Sequence, residues 1–240
     1  MGKLRFLPKE SLMHRNRGFT LVEVLVAIAV SSIALASLYV AYDIIEKRYT
    51  KLRETAIMQQ TGRSVLRIIE RDIRIAGFRY QDDTGSFVFG VLTDPLTISD
   101  SGDACCDEIL ILYDQHDELS GDTDRVQIRY WVEPHTGSKG TRDRLFKQTS
   151  VIQPDQRKDT GQKQVTADYI QDLQFVESGD AANPKSLISI YLALRTKKEY
   201  SRDILYERSG YYAGNSTINV TDGYRRSEFG STIAVRNLML

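Results

Sequence analysis

The 240-residue chain carries 32 basic and 32 acidic side chains and shows no basic patch, which leaves no footing for nucleic acid as a partner. That neutrality hides a polarity. Residues 1–18 hold five basic side chains against one acidic, and the remainder 27 against 31, so a leader of +4 precedes a body of −4.

The leader ends at Arg17-Gly18, and Phe19-Thr20-Leu21-Val22-Glu23 then runs into an apolar stretch from Val24 to Tyr42. An ordinary secretory signal is cut after its apolar region, behind small residues. Here the candidate junction, Gly18–Phe19, lies before that region, so cleavage would leave the helix on the mature protein. Phe19 to Tyr42 spans about 36 Å as a helix, enough for a hydrocarbon core of about 30 Å. The positive-inside tendency keeps the leader cytoplasmic and sends the C-terminal bulk across. Ala34-Leu35-Ala36 offers a rival site, whose cleavage would free a soluble binding or enzymatic domain. Against it, the apolar pattern continues through Leu38, Tyr39, Val40 and Tyr42. Glu23 is the odd residue in the stretch: a carboxylate in lipid is costly and needs either a partner or a place close to the headgroups.

Gly18, Phe19, Thr20, Leu21 and Glu23 resemble the type IV prepilin signature, in which a basic leader ends in glycine and a glutamate stands fifth in the mature chain. The resemblance implies that a membrane-embedded prepilin peptidase cuts after Gly18 and methylates the freed amine of Phe19. It further implies that Glu23 answers the N-terminal amine of a neighbouring subunit. A cation and an anion, each expensive alone in a low-dielectric core, become tolerable together and set the axial register of an added subunit.

Beyond Asp43, Ile45, Tyr49, Leu52, Ala56, Leu66, Ile69, Ile73 and Ala76 recur at helical spacing, predicting one helix from about Phe19 to about Ala76. Gln59 to Arg63 weaken that stripe, and Gly62 predicts a bend or local loosening. Gly77 is the expected stop. In pilin-like proteins the chain's own sheet covers such a stripe; a coiled coil needs a longer repeat.

From Phe78 the texture becomes β-prone. Strands are predicted over residues 87–92, 108–113, 125–133, 144–149, 173–176, 186–195 and 231–236. A polar loop is expected over 155–164 and a short helix or turn over 165–170. Val126, Ile128, Tyr130 and Val132 alternate with Arg125, Gln127, Arg129 and Trp131, the pattern of an antiparallel strand with one face on a helix. The expected class is α+β: a cleaved leader (1–18), a long helix (19–77, with 19–42 in the membrane) and a β-rich head (78–240).

Cys105 and Cys106 are the only cysteines. Across a trans peptide their Cα atoms would lie about 3.8 Å apart, below the usual disulfide range. A vicinal disulfide, two free thiols, a crosslink to a partner, and a metal site with Asp103 and Asp107 remain open readings. Acids gather at Asp114, Asp117 and Glu118 and again at Asp122 and Asp124, between two strands. Calcium is the sharp reading and a solvated hairpin loop the plain one; the spacing is not that of an EF-hand. Otherwise no cofactor is expected. His14, His116 and His135 fall in no catalytic motif, so no enzyme activity is expected. Two glycosylation sequons, at Asn215 and Asn219, and the tyrosines Tyr211, Tyr212 and Tyr224 complete the inventory.

The likeness extends past the signal. Arg67 to Arg74, Asp107 to Tyr113, and Arg225-Arg226 with Thr232 to Asn237 resemble the PilW family of minor pilins, whose layout the J-type pseudopilin of type II secretion largely shares. This implies a structural subunit that primes pilus assembly, with other minor and major pilins and the inner-membrane assembly machinery as partners. It also implies an inner-membrane location with the head in the periplasm, and a place in the pilus or at its tip. The alternative it leaves is a minor pseudopilin.

Overall fold

A computed structural model describes residues 18–101, 105–137, 140–178, 186–207 and 219–238. The rest of the leader with His14, and also Asp103, Tyr211, Tyr212 and the Asn215 sequon, lie outside the described residues. The fold is α+β: among the described residues one long helix, α1 (Leu21–Arg74), is followed by nine antiparallel strands. The chain forms two compact units, the first ending at Thr50 and the second running from Lys51 to Leu240.

In the first unit α1 exposes apolar side chains on every face, among them Leu21, Val26, Ile33, Leu38 and Tyr42. Ser32 and Ser37 return their hydroxyls to the carbonyls of Ile28 and Ile33, at 2.7 and 2.9 Å, so neither brings an unsatisfied donor to this apolar segment.

In the second unit the helix is one-sided. Met58, Gly62, Val65, Ile69, Asp72 and Ile73 are buried, a row three or four residues apart. Full burial of Ile69 and Ile73 stabilises by about 1.5–3 kcal/mol each, as an upper estimate. The predicted stripe is therefore corrected in its first half. Leu52 and Ala56 sit roughly 130° around the helix from the buried row at 3.6 residues per turn, and they, like Ile45 and Tyr49, are exposed. Gly62 does not interrupt the helix. The helix is unbroken there, and the missing side chain admits the Phe229 ring, while Gln59 donates to Ser227 Oγ at 2.8 Å. The segment that weakened the stripe is where the last strand docks.

The stop is as expected: Gly77 adopts φ 77° and donates to the Leu112 carbonyl at 2.9 Å. Asn237, near the end of the described chain, donates to the carbonyl of the buried Ala76 at 3.1 Å.

The first sheet comprises β1 (Leu96–Ser99), β2 (Glu108–His116), β3 (Thr123–Gly137), β4 (Gly140–Ile152), β5 (Lys158–Thr160) and β6 (Gln164–Asp168). Its order is β1-β2-β3-β4-β5, with β6 also paired to β4. The alternation read in β3 holds: Val126, Ile128 and Tyr130 are buried against the helix. On the opposite face Trp131 stacks on Phe146 with centroids 5.7 Å apart, beneath the Arg129 guanidinium.

Two predicted elements are corrected. Residues 87–92 form no strand beyond an isolated bridge between Gln81 and Phe87. Arginines hold that segment instead: Arg79 lies over Phe87, and Arg125 lies over Phe89 and donates to the Gly90 carbonyl. Residues 164–168 are strand β6, where a helix or turn was expected from 165, because Asp168 can meet both Arg142 and Arg144 along β4. The polar loop over 155–164 likewise contains β5.

The second sheet is β7 (Ile170–Ser178), β8 (Leu187–Glu207) and β9 (Asn219–Ala234), in that order. Its inner face, with Leu173, Phe175, Ile188, Ile190 and Ile233, joins the same core as the helix and the first sheet. Register shifts after Arg195 and Glu199 bend the long β8–β9 hairpin. Tyr206 thereby returns over the outer face of its own strand, and its hydroxyl lies 2.8 Å from that of Tyr191. Asp107 ties the two sheets. Its N–H donates to the Leu173 carbonyl at 2.8 Å, and its buried carboxylate accepts from the N–H groups of Phe175 and Ser101 at 2.9 and 3.0 Å. Burial pushes that carboxyl above the usual range, against the pull of these bonds.

Candidate functional site

The start of α1 is organised by Thr20. Its carbonyl accepts the first intrahelical bond, from Val24 N–H at 3.2 Å, and its hydroxyl accepts from Glu23 N–H at 3.2 Å. In return Glu23 Oε2 accepts from the Thr20 N–H at 2.8 Å and from its hydroxyl at 3.0 Å. This is a reciprocal capping box, with Thr20 as N-cap and Glu23 as third helical residue. Sequence reasoning missed it, although Thr-x-x-Glu before an apolar run is its signal. Both bonds fall on Oε2; among the described residues Oε1 accepts none. The cap thus holds the carboxylate at the helix start with one oxygen unengaged.

Gly18 and Phe19 precede this cap outside the helix, and Phe19 is 87 % exposed. A Cβ built on Gly18 would meet nothing within 4 Å. Packing among the described residues therefore imposes no requirement for glycine there.

Elsewhere the singled-out residues have local duties. A disulfide joins Cys105 and Cys106, whose peptide is cis and whose Cα atoms lie 3.1 Å apart, not across the trans bond assumed from sequence. The Asp172 carboxylate lies within 4.8 Å of both sulfurs. In the acidic hairpin, Asp114 is fully buried and pairs with Arg125 at 2.8 Å, while Asp117 accepts from Leu119 N–H at 2.9 Å inside the turn. His116 meets the Thr123 hydroxyl at 2.9 Å and stacks on Tyr80.

The sequence reading also passed over the polar centre of the core. Asp72, 2 % exposed, accepts from the Tyr130 hydroxyl at 2.6 Å and from Lys147 Nζ at 2.5 Å, joining α1 to β3 and β4. Burial first, and then Asp72, push the Tyr130 phenol far above its ordinary range. The signal was present: Val65, Ile69, Asp72 and Ala76 follow one another at helical spacing, which puts a carboxylate on the buried face.

Among known proteins, residues 13–39 match the family model described as the prokaryotic N-terminal methylation motif. No curated protein and no solved structure matches the chain.

Proposed function

We propose that this chain, whose N-terminal methylation motif supports a type IV pilin or pseudopilin, is a minor pilin of the PilW type. It is a structural subunit that helps to initiate pilus assembly by inserting its N-terminal helix into the pilus or an initiation complex. One observation carries the reading: the Gly18–Phe19 junction opens directly onto a capped helix whose apolar side chains are exposed all round, long and apolar enough to cross a membrane. Such a surface requires lipid before assembly and protein after it.

In this reading prepilin peptidase hydrolyses the Gly18–Phe19 peptide and methylates the new amine of Phe19. The amine of an adjoining subunit then meets Glu23, whose capping bonds through Oε2 leave Oε1 to receive it. The leader stays cytoplasmic, and the head stands in the periplasm of a single-pass inner-membrane protein. The three stretches that carry the PilW likeness meet in the fold, which supports the finer assignment. Arg67 to Arg74 ends α1, Gly77 just beyond bonds to Leu112 of β2, and Asn237, after β9, caps Ala76.

The N-terminal mass of the mature protein from its own host tests this. A chain beginning at methylated Phe19 is expected; one beginning at Ser37 would mean release after Ala36 and would overturn the reading. A pseudopilin shares the motif and the helix, so deletion of the gene separates the two: loss of pili is expected, and loss of protein secretion with pili intact would reassign the chain.

A further inference from the structure

Cys105 is exposed and Cys106 is half-buried against the core, so the disulfide between them sits at the surface of the second unit. Beneath it stands Asp172 of β7, whose side chain has no exposed surface. Both sulfurs and a carboxylate oxygen of Asp172 lie within 4.8 Å of one another, and among the described residues no other three thiol, imidazole or carboxylate groups gather so closely.

The acids weighed from sequence beside these cysteines do not supply the third donor. Asp103 lies outside the described residues, and Asp107 has both carboxylate oxygens committed to the fold. Its Oδ1 accepts from the N–H and the hydroxyl of Ser101 at 3.0 and 3.1 Å, and its Oδ2 accepts from Phe175 N–H at 2.9 Å. Those bonds fix the cysteines in place. Asp107 follows Cys106 directly, and its N–H donates to the Leu173 carbonyl at 2.8 Å. The segment is therefore pinned to β7 at Leu173 and Phe175, alongside Asp172. Gln174, also fully buried, donates to Asp172 Oδ1 at 3.0 Å and so orients the carboxylate. A hydrogen-bonded neighbour that fixes a ligating side chain is the usual support of a metal site.

The donor set selects the ion. Two thiolates favour zinc and its heavier congener cadmium over calcium or magnesium, which take hard oxygen ligands in larger number. A tetrahedral zinc ion, with sulfur at about 2.3 Å and carboxylate oxygen at about 2.1 Å, keeps its donors roughly 3.5–4 Å apart. Side-chain rotation reaches that spacing once the sulfur–sulfur bond is broken, and the exposure of Cys105 leaves the fourth position to water.

We propose that Cys105, Cys106 and Asp172 form a redox-gated site for a thiophilic divalent cation of the zinc class. In the disulfide neither sulfur is a thiolate, and the site is closed. A dithiol opens it in two exchange steps, giving two electrons and two protons to the cysteine sulfurs and closing into its own disulfide. The cation then binds both sulfurs and Asp172 and displaces the two thiol protons. Bound there, it joins the segment before β2 to β7 and braces the seam that Asp107 makes between the two sheets. The site uses no residue of α1 and stands apart from the pilin reading.

The test uses the full chain in detergent micelles, reduced with a phosphine, which brings no competing thiol, and titrated with cadmium(II) and then zinc(II). The reduced chain is expected to bind one cadmium ion per chain with the ultraviolet charge-transfer absorption of cadmium–thiolate bonds. Zinc should displace that ion, and the oxidised chain should show neither effect. Cys106→Ser should abolish tight binding, and Asp172→Asn should weaken it by about tenfold or more while leaving the circular dichroism unchanged. X-ray absorption of the zinc-loaded wild-type chain, which needs no variant, should find two sulfurs at about 2.3 Å and oxygen at about 2.0–2.2 Å. No absorption on adding cadmium to the reduced chain, undiminished binding by the oxidised chain, equal affinity in Asp172→Asn, one ion shared by two chains, or a zinc shell without two sulfurs would each overturn the proposal.

Discussion

Gly62 is the residue whose replacement most sharply separates helix propensity from packing. On an exposed helix surface, glycine to alanine stabilises by about 1 kcal/mol. Here a Cβ would stand 2.2, 2.4 and 2.6 Å from Cε2, Cζ and Cδ2 of Phe229, where about 3.5 Å is needed, so the ring must retreat by over ~1 Å from a packed site. Overpacking of this kind costs about 1–3 kcal/mol. With the propensity gain set against it, Gly62→Ala is expected to destabilise by up to about 2 kcal/mol. Phe229→Leu, which removes the ring edge, should convert the same substitution into a neutral or stabilising one. The coupling between the two sites should be roughly 1–3 kcal/mol. Urea unfolding of the full chain in micelles, followed by the fluorescence of Trp131, the single tryptophan, reads each variant and the double variant. A Gly62→Ala chain stabilised by about 1 kcal/mol, or a coupling of zero, would refute the docking of β9 into the helix notch.

Glu23 has two separable duties. Glu23→Gln keeps a capping acceptor but loses the charge, so its helix should form and insert normally while its incorporation into assemblies falls as far as that of Glu23→Ala; wild-type incorporation of the glutamine variant would reduce the residue to a cap. Gly18→Val should block processing without changing the fold of the described residues, since a Cβ there meets nothing within 4 Å among them; a mature mass identical to wild type would remove Gly18 from the proposed processing site. Lys147→Met should cost up to about 3 kcal/mol by leaving the buried Asp72 with only the exposed Arg71, 3.2 Å away, as its cation, whereas Asp72→Met with Lys147→Met should recover most of that loss; equal stability of the single and double variants would show the pair to be idle. For Asp168, burial raises the carboxyl and is the largest single influence, but Arg142 and Arg144 together bring it below its ordinary value. Its stabilising contribution is therefore present above pH 3.8 and lost as pH falls through the lower folded value, so Asp168→Asn should flatten the acid limb of the stability curve; an unchanged acid limb would sink this assignment.

The parts of the fold that sequence disclosed were those that one period could specify. Alternation marked β3, and helical spacing marked the buried row from Ile69 to Ala76, because each pattern is local. The reading failed where a second element decides the outcome. Val165 to Ala167 become strand because β4 offers an edge, and Phe87 to Gly90 lose their strand because Arg79 and Arg125 occupy them from outside. Gly62 was read as a weakness, since nothing nearby in the chain announces a phenylalanine 167 positions later. At the helix start the residues that match the methylation motif lie close together in the chain, so the motif itself was visible at once. Thr20 was seen only as part of the signature, although its capping role was written in the same four residues.

The clamp that β9 and Asn237 place on α1 has a consequence for biogenesis. Gln59, Gly62, Ile75 and Ala76 find their partners in Ser227, Phe229 and Asn237, some 160 residues downstream. Contacts at such separation are the last to form and the slowest. A chain emerging by its N-terminus therefore travels most of its length with Gln59 and Gly62 uncovered, and that part of the inner row closes only when the final strand has followed. Shortening the chain by its last dozen residues would leave the earlier strands nothing to latch shut.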